Sequence, residues 1–207
     1  MEDAMSVSVD FLILGHPRSG TGYMAQLFTA LGLPVGHEKV EPHGISSWMF
    51  AVDAPTVPYT FDGKTRRDIL PRYVFQVVRD PLDVVASMAY TVPEEDAWKF
   101  IAQYAPVERD APSLIRAAQS VIGWNRLIAK HDPHPTIVNV ESAALNVHEF
   151  LLLHGYHPRA LDEATLPPTN YNTRPHARLT SHYLAAQLPA DLFADLRRHA
   201  GQYGYRL

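Results

Sequence analysis

The fold is decided by the stretch Val9-Asp-Phe-Leu-Ile-Leu-Gly-His-Pro-Arg-Ser-Gly-Thr-Gly22. Its apolar run, Phe11–Leu14, is typical of a strand buried on both faces, as parallel strands in α/β proteins are. The three glycines after this run permit tight turns and a close approach to the backbone. From Tyr23 to Leu31, apolar residues repeat at helical spacing. The stretch therefore predicts a strand, a glycine-rich loop and a helix.

The loop between this strand and this helix is suited to an anion. Backbone N–H groups and the positive end of a helix converge there, which favours a phosphate. The loop of nucleotide triphosphatases reads G-x-x-x-x-G-K-[ST]. Gly15 and Gly20 have that spacing, but Thr21 and Gly22 replace the Lys and the magnesium-binding hydroxyl, and the positive charge lies inside the loop at Arg18. The loop predicts phosphate binding without the apparatus for a metal-bound triphosphate.

Pro17-Arg18-Ser19-Gly20-Thr21 resembles the 5′-phosphosulfate loop of sulfotransferases that use 3′-phosphoadenosine 5′-phosphosulfate (PAPS). The resemblance implies a three-layer α/β/α fold with a central, mainly parallel sheet and a P-loop-like phosphate loop. It also implies a 5′-phosphate subsite, which we assign to Arg18, Ser19, Gly20, Thr21, Gly22 and Tyr23. The alternative is that the glycine-rich turn is only a connection.

A second motif follows the apolar run Tyr73–Val78, which predicts another buried strand. Asp80 and Pro81 are typical of an N-cap and a first helical residue. Arg79 would then end the strand, and Ser87 would lie about two turns along the helix. This arrangement resembles the 3′-phosphate motif of the same family, and an Arg offers a phosphate two parallel N–H donors. Two loops for two separate phosphates suit PAPS and not ATP.

Taken singly, the residues of this second motif have simpler interpretations. Arg79 alone would be a surface residue and Ser87 a solvated helix position, while Asp80 resembles the metal-binding acid of a triphosphatase. Their occurrence after the first loop, in the family's chain order, favours the nucleotide interpretation.

The segment Val35–Glu38 predicts a second strand, which we expect to lie beside the first in the usual βαβ manner. Ligands of open α/β sheets bind beyond the carboxyl ends of the strands, where His37 and Glu38 fall. The resemblance implies that Glu38 is the base that takes the acceptor's proton, with His37 as the alternative. Partial burial would raise a carboxyl pKa towards neutrality, as this role requires. The structural alternative is that Glu38 caps a turn or forms an ion pair with Lys39 or an Arg.

Residues 39–72 show little periodicity and many turn formers. A long irregular stretch in a compact domain is commonly functional, so its aromatic segments, 45–50 and 58–61, are candidates for an acceptor-binding wall. Each aromatic taken singly is more typical of core. Near the other end, the loop 167–176 carries Arg174, which the resemblance suggests as a basic residue closing the nucleotide site; an exposed linker Arg is the alternative.

The remaining chain predicts helices over 97–104, 113–129, 146–153 and 189–199, and a buried strand over 136–140. Trp124 is expected in the core. Two histidines, His131 and His134, share a turn, but no third metal ligand lies near them in sequence.

The composition of the chain limits the classes of protein to which it can belong. The chain has 207 residues, which we expect to form one domain, 1–207. A net charge of −4 disfavours a nucleic-acid binder, and the absence of cysteine excludes disulfide scaffolds and thiol catalysis. No run approaches the length of a membrane span, and the acidic start, 1–5, lacks the plan of a signal peptide. A cytoplasmic location is therefore expected.

These observations predict a sulfotransferase. It would move a sulfuryl group from PAPS to a hydroxyl or amine of a small-molecule, lipid or carbohydrate acceptor, releasing adenosine 3′,5′-bisphosphate without a metal. The alternatives are a metal-dependent P-loop kinase and a nucleotide-binding module without catalytic activity.

Overall fold

The computed structural model describes residues 6–92, 96–168, 171 and 174–207. The acidic start of the chain, 1–5, and most of the centre of the predicted loop, 169–170 and 172–173, lie outside the described residues.

A five-stranded sheet organises the described part of the chain. Its order is β2-β3-β1-β4-β5, and each pair of neighbours is parallel. The strands are β1 (Val7–Gly15), β2 (Val35–His37), β3 (Gly44–Ser46), β4 (Ile69–Val78) and β5 (Thr136–Asn139). The predicted α/β class with a parallel central sheet is confirmed.

Helices cover both faces of this sheet. They are α1 (Thr21–Ala30), α2 (Pro81–Thr91), α3 (Asp96–Tyr104), α4 (Ser113–Ile128), α5 (Ala143–Leu153), α6 (Ser181–Gln187) and α7 (Ala190–Gln202). Helices α1 and α5 share one core cluster with the sheet, and the other five share the second. The result is the predicted order of layers, α/β/α.

Alternation along β1 explains the two cores. Phe11 and Ile13 belong to the cluster that includes α1, while Leu12 and Leu14 belong to the cluster that includes α4. All four side chains are fully buried. The continuous apolar run of the sequence is therefore the mark of a central strand that is covered on both sides.

The prediction that the second strand pairs with the first was wrong. Strand β3 lies between them, so β2 is at the edge of the sheet. Gly44 begins β3 at φ 146°, and a Cβ there would collide with the carbonyl of Phe11. A strand of three residues that starts with such a glycine is too short to show the alternation of apolar and polar residues by which strands are predicted from sequence. Residues 39–72 are accordingly less irregular than predicted, since they hold β3 and the start of β4.

Strand β5 also differs from its prediction, because it is an edge strand and not a buried one. Ile137 is 46% exposed, although Val138 is buried. Helices α3, α4, α5 and α7 confirm the predicted helical segments with small shifts of their ends, while α6 was not anticipated. Trp124 is fully buried, as expected.

Candidate active site

A cavity of about 300 Å³ lies where the loops after β1, β2 and β4 meet. Its wall brings together most of the residues that the sequence singled out for the nucleotide and for proton transfer. These are Arg18, Gly20, Thr21, Gly22, Tyr23, His37, Glu38 and Arg79. Pro17, Trp48, Tyr59, Phe61 and Tyr171 complete it.

The start of α1 presents a positive pole to this cavity. Gly20 is the N-cap, at φ 112°, and the first turn contains no acidic residue. The first intrahelical bond runs from the N–H of Met24 to the carbonyl of Gly20. The N–H groups of the three residues between them thus have no partner within the helix, as at every helix start. This end of the cavity favours an anion.

Ser19 is placed differently from the other loop residues. Its N–H and its hydroxyl both donate to the carbonyl of His16, at 3.0 and 2.6 Å. The residue is 2% exposed and is not part of the cavity wall as described. In this arrangement the N–H and the hydroxyl of Ser19 shape the loop, and its contact with a 5′-phosphate stays a prediction.

Three arginines concentrate positive charge at the cavity. Burial lowers the pKa of Arg18, and the charges of Arg174 and Arg79 lower it further. Arg79 also donates to Asp83 at 3.0 Å, one turn along α2. Arg174 donates to the carbonyl of Thr91 at 2.6 Å and lies beside the described wall rather than in it. A bound anion would reduce the repulsion between these positive charges.

Ser87 links the two predicted phosphate motifs. It is 2% exposed, on α2, and its hydroxyl accepts a hydrogen bond from Nε of Arg18 at 2.9 Å. The N-cap of this helix is as predicted, because the carboxylate of Asp80 accepts from the N–H of Leu82 and Pro81 follows it. The loop after β1 is therefore in direct contact with helix α2, which follows β4.

Glu38 is the buried acid of the cavity. It is 4% exposed, and its Oε2 accepts from the hydroxyl of Ser47 at 2.5 Å. Its Oε1 is also buried, and no hydrogen bond to it comes from the described residues. Burial raises the pKa of Glu38 to about 7, against the opposing effect of hydrogen bonds from Ser47 and the backbone of Trp48. This side chain can exchange a proton near neutral pH.

His37 lies between this acid and the phosphate loop. Its Nε2 is 3.7 Å from Oε1 of Glu38 and 3.5 Å from the hydroxyl of Thr21. Burial lowers the pKa of His37, so its ring is neutral where Glu38 ionises. The structure therefore puts both candidate bases at the same cavity.

Positive backbone φ angles occur at two residues of the cavity wall. Arg18 has φ 72° and Glu38 has φ 57°, and these are the two non-glycine residues with positive φ in the described ranges. The backbone of Glu38 is held by two hydrogen bonds, from its N–H to Ser46 and from Phe61 to its carbonyl. Strain that is fixed in this way is characteristic of functional sites.

Aromatic side chains form the side of the cavity next to Glu38. Trp48 is 8% exposed, whereas Tyr59 and Phe61 are 41% and 79% exposed. Behind them, the indole N–H of Trp124 donates to the carbonyl of Trp48 at 3.1 Å. In the predicted acceptor-binding wall, Trp48 is therefore a core residue, whereas Tyr59 and Phe61 have exposed faces that a ligand could contact.

Sequence reasoning missed two residues that organise this site. Ser47 follows a strand that the sequence did not predict, so its bond to Glu38 had no local signal. His16 is fully buried and contacts Ser120, 104 positions away. The sequence did offer one indication for His16, because a polar ring directly after a buried strand needs hydrogen-bond partners.

The same described ranges contain no group of three His, Asp or Glu side chains that could hold a metal ion. His131 instead bonds the carbonyl of Ala51. Among the helices described, none combines the length and the apolar character needed to cross a membrane.

We expect the burial of Glu38 to make stability depend on pH. The unfolded chain releases this proton near pH 4.5, but the folded chain holds it up to about pH 7. Between these values the folded state binds more protons, so the free energy of unfolding falls as pH rises. At pH 8, Glu38→Gln should be more stable than the unmodified chain by about 3 kcal/mol, and below pH 4.5 this gain should vanish. Denaturant titrations at both pH values measure it.

The control for that experiment is Glu149→Gln, which removes one carboxylate from an exposed position on α5. A gain of equal size in both variants would contradict the assignment to burial, and so would a gain that does not change with pH.

The chain was compared with protein-family models, curated protein sequences and solved structures. No protein-family model matches the chain, and no curated protein sequence does. Among solved structures, it is similar to the crystal structure of mouse sulfotransferase SULT7A1 complexed with PAP. The TM-score is 0.42 and the identity 11%, over 91% of this chain and 70% of that one. Likeness at this level carries no argument about activity.

Proposed function

We propose that this chain is a sulfotransferase that uses PAPS. One observation carries the proposal: a single cavity is lined by Arg18, the start of α1, Arg79 and the buried carboxyl of Glu38. Sites for anionic groups and a proton acceptor of suitable pKa therefore face the same space.

The residues of the cavity fit a nucleotide with two separate phosphates. Arg18 and the N–H groups at the start of α1 would hold the 5′ end. Arg79 would hold the 3′-phosphate, with Ser87 and Arg174 beside it. The surroundings of Arg18 support this assignment: burial lowers its pKa most, the charges of Arg174 and Arg79 lower it further, and a bound anion would offset that repulsion.

PAPS supplies a sulfuryl group, whose sulfur–oxygen bond to the 5′-phosphate breaks as the acceptor bonds to sulfur, so that adenosine 3′,5′-bisphosphate leaves. Glu38 would take the proton of the acceptor hydroxyl or amine at Oε1, which is 3.7 Å from His37 and otherwise unengaged by the described residues. Ser47 fixes the other oxygen of the carboxylate. Arg18 and the helix start would stabilise the negative charge at the 5′ end by fixed dipoles and charge.

The acceptor would be a small molecule, a lipid or a carbohydrate, bound against Tyr59 and Phe61. Their exposed faces border the cavity beside Glu38. We further propose that residues 1–207 form one domain, and a cytoplasmic location stays a prediction of the sequence.

Isothermal titration calorimetry tests the nucleotide assignment. We expect adenosine 3′,5′-bisphosphate to bind equally well in EDTA and in magnesium, since its contacts are cationic side chains and N–H groups. ATP should bind about 100-fold more weakly even with magnesium, because it lacks the 3′-phosphate. Tight ATP binding that requires magnesium would instead identify a kinase. Tight binding of the bisphosphate without sulfuryl transfer to any acceptor would identify a non-catalytic module.

A further inference from the structure

His16, the residue between Gly15 and Pro17 of the phosphate loop, has no role in the chemistry above. Its side chain is fully buried, on the protein side of the loop. Nδ1 lies 2.6 Å from the carbonyl oxygen of Pro17, and Nε2 lies 3.0 Å from the hydroxyl of Ser120 on α4. The ring therefore connects the loop to a helix that is remote in sequence.

The partners of the ring define its protonation. Burial lowers the pKa of His16 to about 3, so the ring is neutral and has one N–H. A carbonyl oxygen only accepts, so Nδ1 carries the hydrogen and donates to Pro17. Nε2 must then accept, and the hydroxyl of Ser120 is the donor. The same hydroxyl also donates to the carbonyl of Ala117 at 2.8 Å, so its single hydrogen is shared between the two acceptors.

These bonds determine which way the loop carbonyls face. The carbonyl of Pro17 is held by the buried ring, and the carbonyl of His16 receives both donors of Ser19. Neither acceptor is then available to oppose an anion in the cavity, although Pro17 itself lines that cavity. A carbonyl oxygen turned towards a phosphate would repel it, whereas N–H groups attract it.

We propose that His16 is a positioning residue for the 5′-phosphate subsite, held in turn by Ser120. The neutral ring keeps the carbonyl of Pro17 turned inward, which leaves the loop ready to receive a phosphate. This inference rests on the proposed function, because it assigns the 5′-phosphate to this loop.

The test replaces the ring by groups that keep or lose its bond to Pro17. His16→Phe keeps a buried ring but has no donor. His16→Asn places an amide N–H near the position of Nδ1. We expect His16→Phe to weaken binding of adenosine 3′,5′-bisphosphate about 30-fold, and His16→Asn to recover most of that loss. Binding of adenosine 3′-monophosphate, which lacks the 5′-phosphate, should not change in either variant.

Two measurements separate positioning from general damage to the fold. Ile122→Ala, in the core on the same helix α4, should lower the melting temperature without changing the affinity for either nucleotide. If His16→Phe does not fold, Ser120→Ala provides the test, with an expected loss of about fivefold for the bisphosphate alone.

Three outcomes would overturn the inference: unchanged bisphosphate affinity in a folded His16→Phe, equal losses for both nucleotides, or no difference between the Phe and Asn variants. If the unmodified chain binds neither nucleotide, the proposed function itself fails, and that result is distinct from these three.

Discussion

Replacing Glu38 with Gln should lower kcat for sulfuryl transfer about 1,000-fold, the usual range for loss of a general base. The amide has nearly the same shape and can still accept from Ser47, so the cavity should keep its form. The Kd for adenosine 3′,5′-bisphosphate should therefore stay the same. Transfer is measured from radiolabelled PAPS to an acceptor found by screening hydroxyl and amine compounds.

The pH profile provides the control for this variant. In the unmodified chain, the proposed transfer activity should rise through about pH 7, where Glu38 loses its proton. Residual activity of Glu38→Gln should not follow that rise. If Glu38→Gln keeps its turnover and His37→Asn loses it, the base is His37 and the assignment of Glu38 is wrong.

Replacing Arg79 with Ala should weaken binding of adenosine 3′,5′-bisphosphate about 100-fold, because a charge-assisted, two-pronged contact to the 3′-phosphate would be lost. Binding of adenosine 5′-monophosphate, which has no 3′-phosphate, should not change. Arg79→Lys keeps the charge but not the planar fork, so it should recover only part of the loss. Calorimetry with the two nucleotides gives the ratio directly.

Arg67→Ala is the matched control for Arg79. Arg67 also pairs with one aspartate, Asp53 at 2.6 Å, but it is exposed and lies outside the cavity. Its removal should alter neither affinity. Equal weakening of both nucleotides by Arg79→Ala would show that Arg79 acts on the whole site and not on the 3′-phosphate.

The features that the sequence predicted well carry local signals. An apolar run followed by glycines and a helical period defined β1, the phosphate loop and α1 within about 20 residues. Asp80 and Pro81 similarly marked the start of α2, and both motifs reach one cavity in the structure.

The features that were missed depend on contacts between distant segments. Strand β3 is three residues long, and its pairing with β1 depends on the glycine at position 44. The bond from Ser47 to Glu38 follows from the pairing of β3 with β2, which sets Ser46 opposite His37 and so places position 47 beside Glu38. His16 and Ser120 are 104 positions apart, and no periodic pattern in the sequence indicates that they are in contact.

Helix α4 supports both sides of the cavity from behind. Ser120 contacts the phosphate loop through His16, and Trp124, one turn later, holds the backbone of Trp48 on the aromatic side. Residues four apart on a helix lie on the same face. Helix α4 therefore fixes the distance between the phosphate loop, which Ser120 contacts through His16, and the aromatic side of the cavity, which Trp124 contacts. Trp48 itself lines the cavity, and its ring lies 5.7 Å from that of Trp124, so binding of adenosine 3′,5′-bisphosphate should alter the tryptophan emission of the chain.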